Sequence, residues 1–220
     1  MGAINPDERL RVIEVYPSIQ GESTRAGLPC VFIRLAGCNL RCTWCDSTFT
    51  FTGGTRRGID DVVAEAHAHG IDLVEVTGGE PLVHRQAIPL MQRLLDLGHT
   101  VLLETSGSRD IAAVPEGVHI ILDLKPPDSG EAGANRWENL PLLKSKDEVK
   151  FVIASRGDYD WSVATLRRHL LDRVCPVLFS PVTDSVEPRD LAAWILADRL
   201  PVRFQLQLHK VVWPADARGV

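Results

Sequence analysis

No window of this 220-residue sequence approaches the roughly 18 uninterrupted apolar residues of a membrane-spanning helix. The N-terminus, with Asp7, Glu8, Arg9 and Arg11 close to its start, lacks the apolar core of an export signal. The expectation is a cytoplasmic protein with no membrane partner. Excess positive charge is missing as well: the formal net charge is −5 and the basic residues are scattered. That excludes the broad electrostatic footprint of a nucleic-acid binder and favours a small-molecule substrate. Repeats, low-complexity tracts and long linkers are absent, so residues 1–220 read as one domain, with residues 1–29 as a strand-and-loop extension at its front. A disulfide framework is disfavoured because five cysteines is an odd count and three crowd between positions 38 and 45, a pattern of metal ligation in a reducing compartment. Cys30 and Cys175 stand apart.

What is present is an alternation of short apolar runs with amphipathic stretches, the pattern of an α/β fold. Strands are expected over residues 11–16, 30–36, 73–76, 101–104, 118–124, 149–154, 176–179 and 202–206. Most are apolar throughout, as in a parallel sheet covered on both faces. Helices are expected over residues 59–69, 85–97, 162–171 and 188–200, where apolar residues recur every three or four positions. A closed eight-fold barrel needs roughly 250 residues. A shortened, open parallel (β/α) barrel of about six strands fits this length better.

Suspicious residues gather just after the expected strands: the cysteines, Thr77-Gly78-Gly79-Glu80-Pro81, Glu104-Thr105-Ser106-Gly107, Lys125-Pro126-Pro127 and Ser180-Pro181. Each taken singly reads as ordinary turn chemistry. In parallel α/β folds, however, the strand carboxyl ends share one face, where ligands bind.

The segment from Gly37 to Asp46 spaces Cys38, Cys42 and Cys45 as C-x3-C-x2-C. Three thiolates on a cubane [4Fe-4S] cluster leave one iron without a protein ligand, whereas structural zinc takes four protein ligands in a closed tetrahedron. A fourth ligand has one nearby candidate, Cys30, which the apolar run Val31-Phe32-Ile33 buries, and no second C-x2-C follows. Three unliganded thiols would invite oxidation. An open-iron cluster is the better reading.

These residues resemble the radical S-adenosylmethionine (SAM) superfamily, whose cysteine signature carries an aromatic where Trp44 stands. Gly78-Gly79-Glu80-Pro81 is similar to the glycine motif that approaches the methionyl amine in that superfamily. Within it, the chain looks like a member of the 7-carboxy-7-deazaguanine synthase family of queuosine and deazapurine biosynthesis. That resemblance rests on the segments 16–22 and 32–40, on Cys45-Asp46-Ser47, and on Gln205-Leu206-Gln207-Leu208-His209-Lys210. It implies a radical lyase that contracts 6-carboxy-5,6,7,8-tetrahydropterin to 7-carboxy-7-deazaguanine with loss of ammonia, using the cofactor catalytically.

The resemblance also implies roles. On the substrate side it assigns Ile19, Gln20, Gly21 and Glu22 to the polar edge of the pterin, Arg34 to its carboxylate, and Thr77 and His209 to further contacts. A carboxylate suits guanidine-like N–H donors, and an inward arginine otherwise needs a buried acid partner. On the cofactor side it assigns Trp44, Cys45, Asp46, Gly79, Glu104, Asp123, Leu124, Lys125 and Ser180. Asp123 stands where many members carry a small hydroxyl residue, and Lys125 reads equally as a surface lysine. No residue is assigned a catalytic proton or radical, since the radical comes from the cofactor. Magnesium is implied on the Ser47 hydroxyl, with Thr48 the adjacent alternative and turn capping the plainer one. An electron donor such as flavodoxin or ferredoxin, and a homodimer, complete the set. Two rivals remain: an activase of glycyl-radical enzymes, which acts on a large protein, and a zinc-stabilised binding module.

Overall fold

The computed structural model of the chain describes residues 9–214, 217 and 219. The polar start before Arg9 and most of the tail after Pro214 lie outside the described residues. The core element is a nine-stranded sheet in the order β3-β1-β2-β4-β5-β6-β7-β8-β9. Its strands are β1 (Arg9–Ile19), β2 (Pro29–Leu35), β3 (Thr55–Gly58), β4 (Leu73–Gly78), β5 (Thr100–Thr105), β6 (His119–Leu124), β7 (Glu148–Ile153), β8 (Val177–Pro181) and β9 (Arg203–Phe204). From β2 to β9 every neighbouring pair is parallel, and β1 runs antiparallel to both β2 and β3. The sheet is open rather than closed, a partial barrel as the chain length implies.

Four helices cover the outer face: α1 (Ile59–Ala68), α2 (Ala87–Asp96), α3 (Arg156–His169) and α4 (Pro188–Ala197). The short α5 (His209–Val212) ends the described chain. Ser155 caps α3 by accepting from the Asp158 N–H, so this helix starts six residues before its apolar periodicity does. Beneath α1 and α2 lies one core, which includes Leu10, Ile33, Val62, Val76, Leu90 and Leu94. Beneath α3 and α4 lies another, which includes Leu122, Phe151, Tyr159, Phe179 and Leu191. The inner face has only a small apolar floor of Cys30, Phe32, Leu73, Leu102 and Ile121, with Tyr16 packed against it. Above that floor most inward positions are polar, Glu75, Thr77, Glu104, Asp123 and Lys150 among them.

The first strand is longer than its apolar pattern suggests. It joins the sheet as β1, and a register shift between Val12 and Glu14 brings Glu14 opposite Arg34. Such a bulge re-aims side chains. Where the sequence suggests a strand over residues 202–206, only Arg203 and Phe204 pair with β8. The unanticipated β3, Thr-Arg-Arg-Gly, forms the opposite edge by pairing with β1.

Candidate active site

The carboxyl ends of the parallel strands open into a cavity of about 450 Å3, a size typical of small-molecule sites. The loop after β2 forms one wall and is tied down along its length. Gly37 N–H donates to the Thr50 carbonyl at 2.6 Å, Thr43 N–H to the Ser129 carbonyl at 3.0 Å, and Arg41 N–H to Glu131 Oε1 at 2.5 Å. This holds Cys38, Cys42 and Cys45 half-buried on the cavity wall. Burial raises the Cys38 and Cys42 thiols, the latter to about 11, against the opposing pull of the Lys125 ammonium.

The candidate fourth zinc ligand is elsewhere. Cys30 is fully buried in the apolar floor, packed with Phe32, Leu73, Leu102 and Ile121. Among the described residues no fourth thiol lines the cavity, so a closed zinc site lacks its fourth cysteine there.

The glycine turn after β4 packs backbone against backbone. Gly78 has φ of 144°, and a Cβ there would collide with the Leu35 carbonyl oxygen and lie 2.7 Å from its nitrogen. A Cβ on Gly79 would meet the Gly37 carbonyl and lie 2.7 Å from Cys38 Cβ. Glu80 follows, wholly buried, and accepts from Leu82 N–H at 2.9 Å, Thr105 Oγ1 at 2.9 Å, Ser106 N–H at 2.8 Å and Ser106 Oγ at 2.6 Å. Its carboxylate therefore ties the loop after β4 to the loop after β5.

Charged groups line the cavity above the apolar floor. Lys150 Nζ donates to Glu22 Oε2 at 2.7 Å and to Glu104 Oε1, and lies 3.6 Å from Asp123 Oδ2. Gln20 donates its amide to Glu75 Oε2 at 2.5 Å and accepts from the Glu22 N–H, so both ends of that amide are engaged. Burial, then the nearby Glu104 charge, push Glu75 well above the usual carboxylate range. Glu22 moves the other way: burial would raise it, but the Lys150 ammonium and the Gln207 amide together hold it low. Lys125 Nζ donates to Asp123 Oδ2 at 2.9 Å, while Asp123 Oδ1 is buried with no hydrogen-bond partner. An orphaned buried acceptor is a costly feature that a ligand donor can relieve.

The C-terminal segment closes the far side. Leu208 N–H donates to the Gly21 carbonyl at 2.8 Å, Gln207 Nε2 to Glu22 Oε1 at 2.8 Å, and Lys210 Nζ to Asp46 Oδ2 at 2.7 Å. Burial would raise Asp46, but Lys210 outweighs it and holds the carboxyl at about 2. Burial depresses the His209 imidazole below its ordinary value.

The cavity gathers almost every residue singled out in the sequence. Ile19, Gln20, Gly21, Glu22, Arg34, Thr77 and His209 line it, as do Trp44, Cys45, Asp46, Gly79, Glu104, Asp123 and Lys125, together with Cys38, Cys42 and Ser47. Leu124 and Ser180 do not line it. Leu124 turns into the core beneath α3, and Ser180 is buried with its hydroxyl unpartnered. Lys125 is not a surface lysine. Arg34 has the acid partner that an inward arginine needs: its Nε donates to Glu14 Oε1 at 2.8 Å and its Nη2 to the Tyr16 hydroxyl. The Ser47 hydroxyl does not cap the turn it precedes but donates to Asp46 Oδ1 at 3.1 Å.

Sequence reading missed Glu75 and Lys150, although a lone charge inside the apolar runs of β4 and β7 is a signal. It also assigned no role to Gln207 or Lys210, whose partners Glu22 and Asp46 are far away in the chain.

The radical SAM superfamily pattern matches residues 32–169. The chain is 46% identical to a 7-carboxy-7-deazaguanine synthase of Koribacter versatilis over 96% of this chain and the whole of that protein. It is 44% identical to a protein of the same name in Chlorobaculum tepidum, over 96% of this chain and 97% of the relative. The crystal structure of QueE from Escherichia coli superposes with a TM-score of 0.74 at 22% identity, covering 91% of this chain and 95% of that one, a likeness of fold.

Proposed function

The chain belongs to the radical SAM superfamily and, within it, to the 7-carboxy-7-deazaguanine synthases, and we propose that its cavity contracts 6-carboxy-5,6,7,8-tetrahydropterin to 7-carboxy-7-deazaguanine with release of ammonia. The family implies a [4Fe-4S] cluster, SAM, a small-molecule substrate and a reductant. One observation carries the substrate reading: the three-cysteine loop and a set of charged and amide groups suited to a pterin edge share one cavity of about 450 Å3. A protein-backbone substrate, as for an activase, asks for a broad open groove instead.

The residues present fit the absent groups. Cys38, Cys42 and Cys45 would hold the cluster, and with SAM it supplies a 5'-deoxyadenosyl radical. The Gly78-Gly79 turn lets a methionyl amine come close to backbone, and Asp123 Oδ1 is an unpartnered acceptor beside Lys125. Trp44, Asp46 and Glu104 line the same cavity. On the substrate side, Glu22 is held as a carboxylate to accept pterin N–H donors, and Arg34, steadied by Glu14 and Tyr16, meets the substrate carboxylate. His209, its imidazole depressed by burial, offers a hydrogen bond. Thr77 offers a hydroxyl.

Magnesium belongs to this reading through Ser47, whose hydroxyl is free of the capping role and adjoins the Asp46 carboxylate. A homodimer and a flavodoxin or ferredoxin donor belong to it as well. Among the described residues, no helix is long and apolar enough to cross a membrane.

An anaerobic assay of the reconstituted, reduced enzyme with the tetrahydropterin tests the whole. Deazaguanine absorbance should appear, and no product would sink the assignment. In the same assay Ser47→Ala should lose turnover more than SAM cleavage, with partial recovery on added magnesium; equal loss of both would remove the metal role.

Gly21→Ala is a second test of the substrate side. A Cβ there would overlap His209 Nδ1 and lie 3.0 Å from its Cγ. The His209 ring must move away from Gly21, taking its hydrogen bond from the substrate. Losing about one good hydrogen bond corresponds to roughly a tenfold rise in pterin KM. Steady-state kinetics showing unchanged KM would mean that the tail does not contribute to substrate binding.

A further inference from the structure

Lys150 belongs to β7, inside the run Glu-Val-Lys-Phe-Val-Ile, and every residue of that strand is buried. Alternation turns Glu148, Lys150 and Val152 toward the concave face and Val149, Phe151 and Ile153 into the core beneath α3. Each inward residue meets something different. Glu148 holds the loop after β1 by accepting from Thr24 N–H at 3.0 Å and from its hydroxyl. Val152 lines the cavity. Between them, the Lys150 side chain is 3% exposed and its ammonium is shared by Glu22, Glu104 and Asp123. An ammonium has three donors and no acceptor. Here they face one carboxylate from the substrate-side loop and two from the cofactor-side strand ends.

We propose that Lys150 is the positioning residue of this site, keeping the Glu22 and Glu104 carboxylates aimed at the two halves of the cavity with a single shared counter-charge. The inference rests on the substrate reading above, because Glu22 is the group that reading gives to the pterin. The alternative is an ion pair that merely fills space in the fold. Such a pair would affect folding but would leave pterin binding by the folded variant unchanged.

The groups facing Glu22 and Lys150 decide the sign. Glu75 from β4, Glu104 from β5 and Asp123 from β6 are acidic. Lys125 and Lys210 are cationic, and His209 is depressed by burial. With Lys150 present, Glu22 is held below its ordinary value, so pterin binding should be flat between pH 6 and 9 as far as this group is concerned. Without Lys150, burial and the neighbouring acids act on Glu22 together and push its carboxyl up. Binding then strengthens as pH rises, by up to about tenfold per unit until the group ionises.

The test is calorimetric titration of the tetrahydropterin into reconstituted, unreduced holoenzyme, which does not turn over, between pH 6 and 9. Lys150→Met should bind at least about tenfold more weakly at pH 7 and approach the wild type by pH 9, whereas Lys150→Arg should stay flat. A flat profile in folded Lys150→Met would overturn the proposal. Infrared difference spectra judge it without any pterin. On the wild-type background, Glu22→Gln should remove an ionised carboxylate band at pH 7; on the Lys150→Met background it should remove a protonated acid band. An ionised band in both backgrounds, or a protonated one in the wild type, defeats the Lys150 assignment. If Lys150→Met fails to fold, the wild-type spectrum alone carries this arm. If the wild type does not bind pterin, the substrate reading falls, and the spectra still decide what Lys150 does.

Discussion

Cys42→Ala should bind iron only at background level and lose reductive cleavage of SAM by well over about 100-fold, the loss typical of a missing neighbour of a metal ligand and less than that of a missing ligand. The fold should survive. Cys42 is only half-buried, at the cavity wall, and belongs to neither helix-side core. Its loop is fastened by backbone bonds from Gly37 to Thr50 and from Thr43 to Ser129, none of which involves a thiol. Cys30→Ala is the matched control. Its sulfur lies in the apolar floor, so that variant should be less stable while retaining iron and SAM cleavage. Anaerobic reconstitution, iron and sulfide analysis, and detection of 5'-deoxyadenosine measure both variants beside the wild type. Full cleavage by Cys42→Ala, or loss of iron in Cys30→Ala, would mean that the ligand set is different.

The parts of this molecule that were legible from sequence are those in which a local pattern and a tertiary position coincide. Parallel strands covered on both faces must be apolar throughout, which is why β4, β5, β6, β7 and β8 stand out to within two residues of their ends. The C-x3-C-x2-C spacing and the Gly78-Gly79-Glu80 turn are legible because each is a continuous segment whose chemistry depends on near neighbours. Edges were not legible. The strand β3 is Thr-Arg-Arg-Gly, polar because it sits at the rim of the sheet, and its pairing to β1 has no local signature. The first turns of α3 are polar as well and are set by the Ser155 cap.

Charge partnerships were the larger loss. Alternation correctly turned Arg34 inward, but its acid partner arrives through a register shift in β1 that no periodicity announces. Glu22 and Gln207 are 185 residues apart. Lys150 and Glu75 sit in runs whose apolar neighbours define the strands, and reading those runs for secondary structure treats the one charged residue as noise. In a half-barrel with a polar concave face, that residue is the informative one.

The same logic makes Glu80 a sensitive point of the fold. In sequence it reads as part of a cofactor motif; in the structure its carboxylate is wholly buried and accepts from two backbone N–H groups and two hydroxyls across two strand-end loops. Hydrogen bonds to a charged acceptor contribute roughly 1.5–3 kcal/mol each, and buried donors left without partners cost about 1–3 kcal/mol apiece. The two hydroxyls in Glu80→Ala can turn elsewhere, since Ser106 Oγ already lies 2.8 Å from Ser108 Oγ. The Leu82 and Ser106 N–H groups cannot, so a loss of about 4 kcal/mol is expected. For a chain of this size that corresponds to a fall in Tm of roughly 8–16 °C. Glu80→Gln keeps one acceptor oxygen but points an N–H2 group at donors, and should fall between the wild type and Glu80→Ala. Because Gly79 and Glu80 are consecutive and Glu80 N–H donates to the Gly37 carbonyl at 2.9 Å, the glycine turn should lose its register with the cysteine loop in both variants. SAM affinity in the reconstituted enzyme should then weaken in the same order as Tm. Thermal melts and cofactor titrations of the three proteins check this together; an unchanged Tm in Glu80→Ala would show that the two loops hold their places without the carboxylate between them.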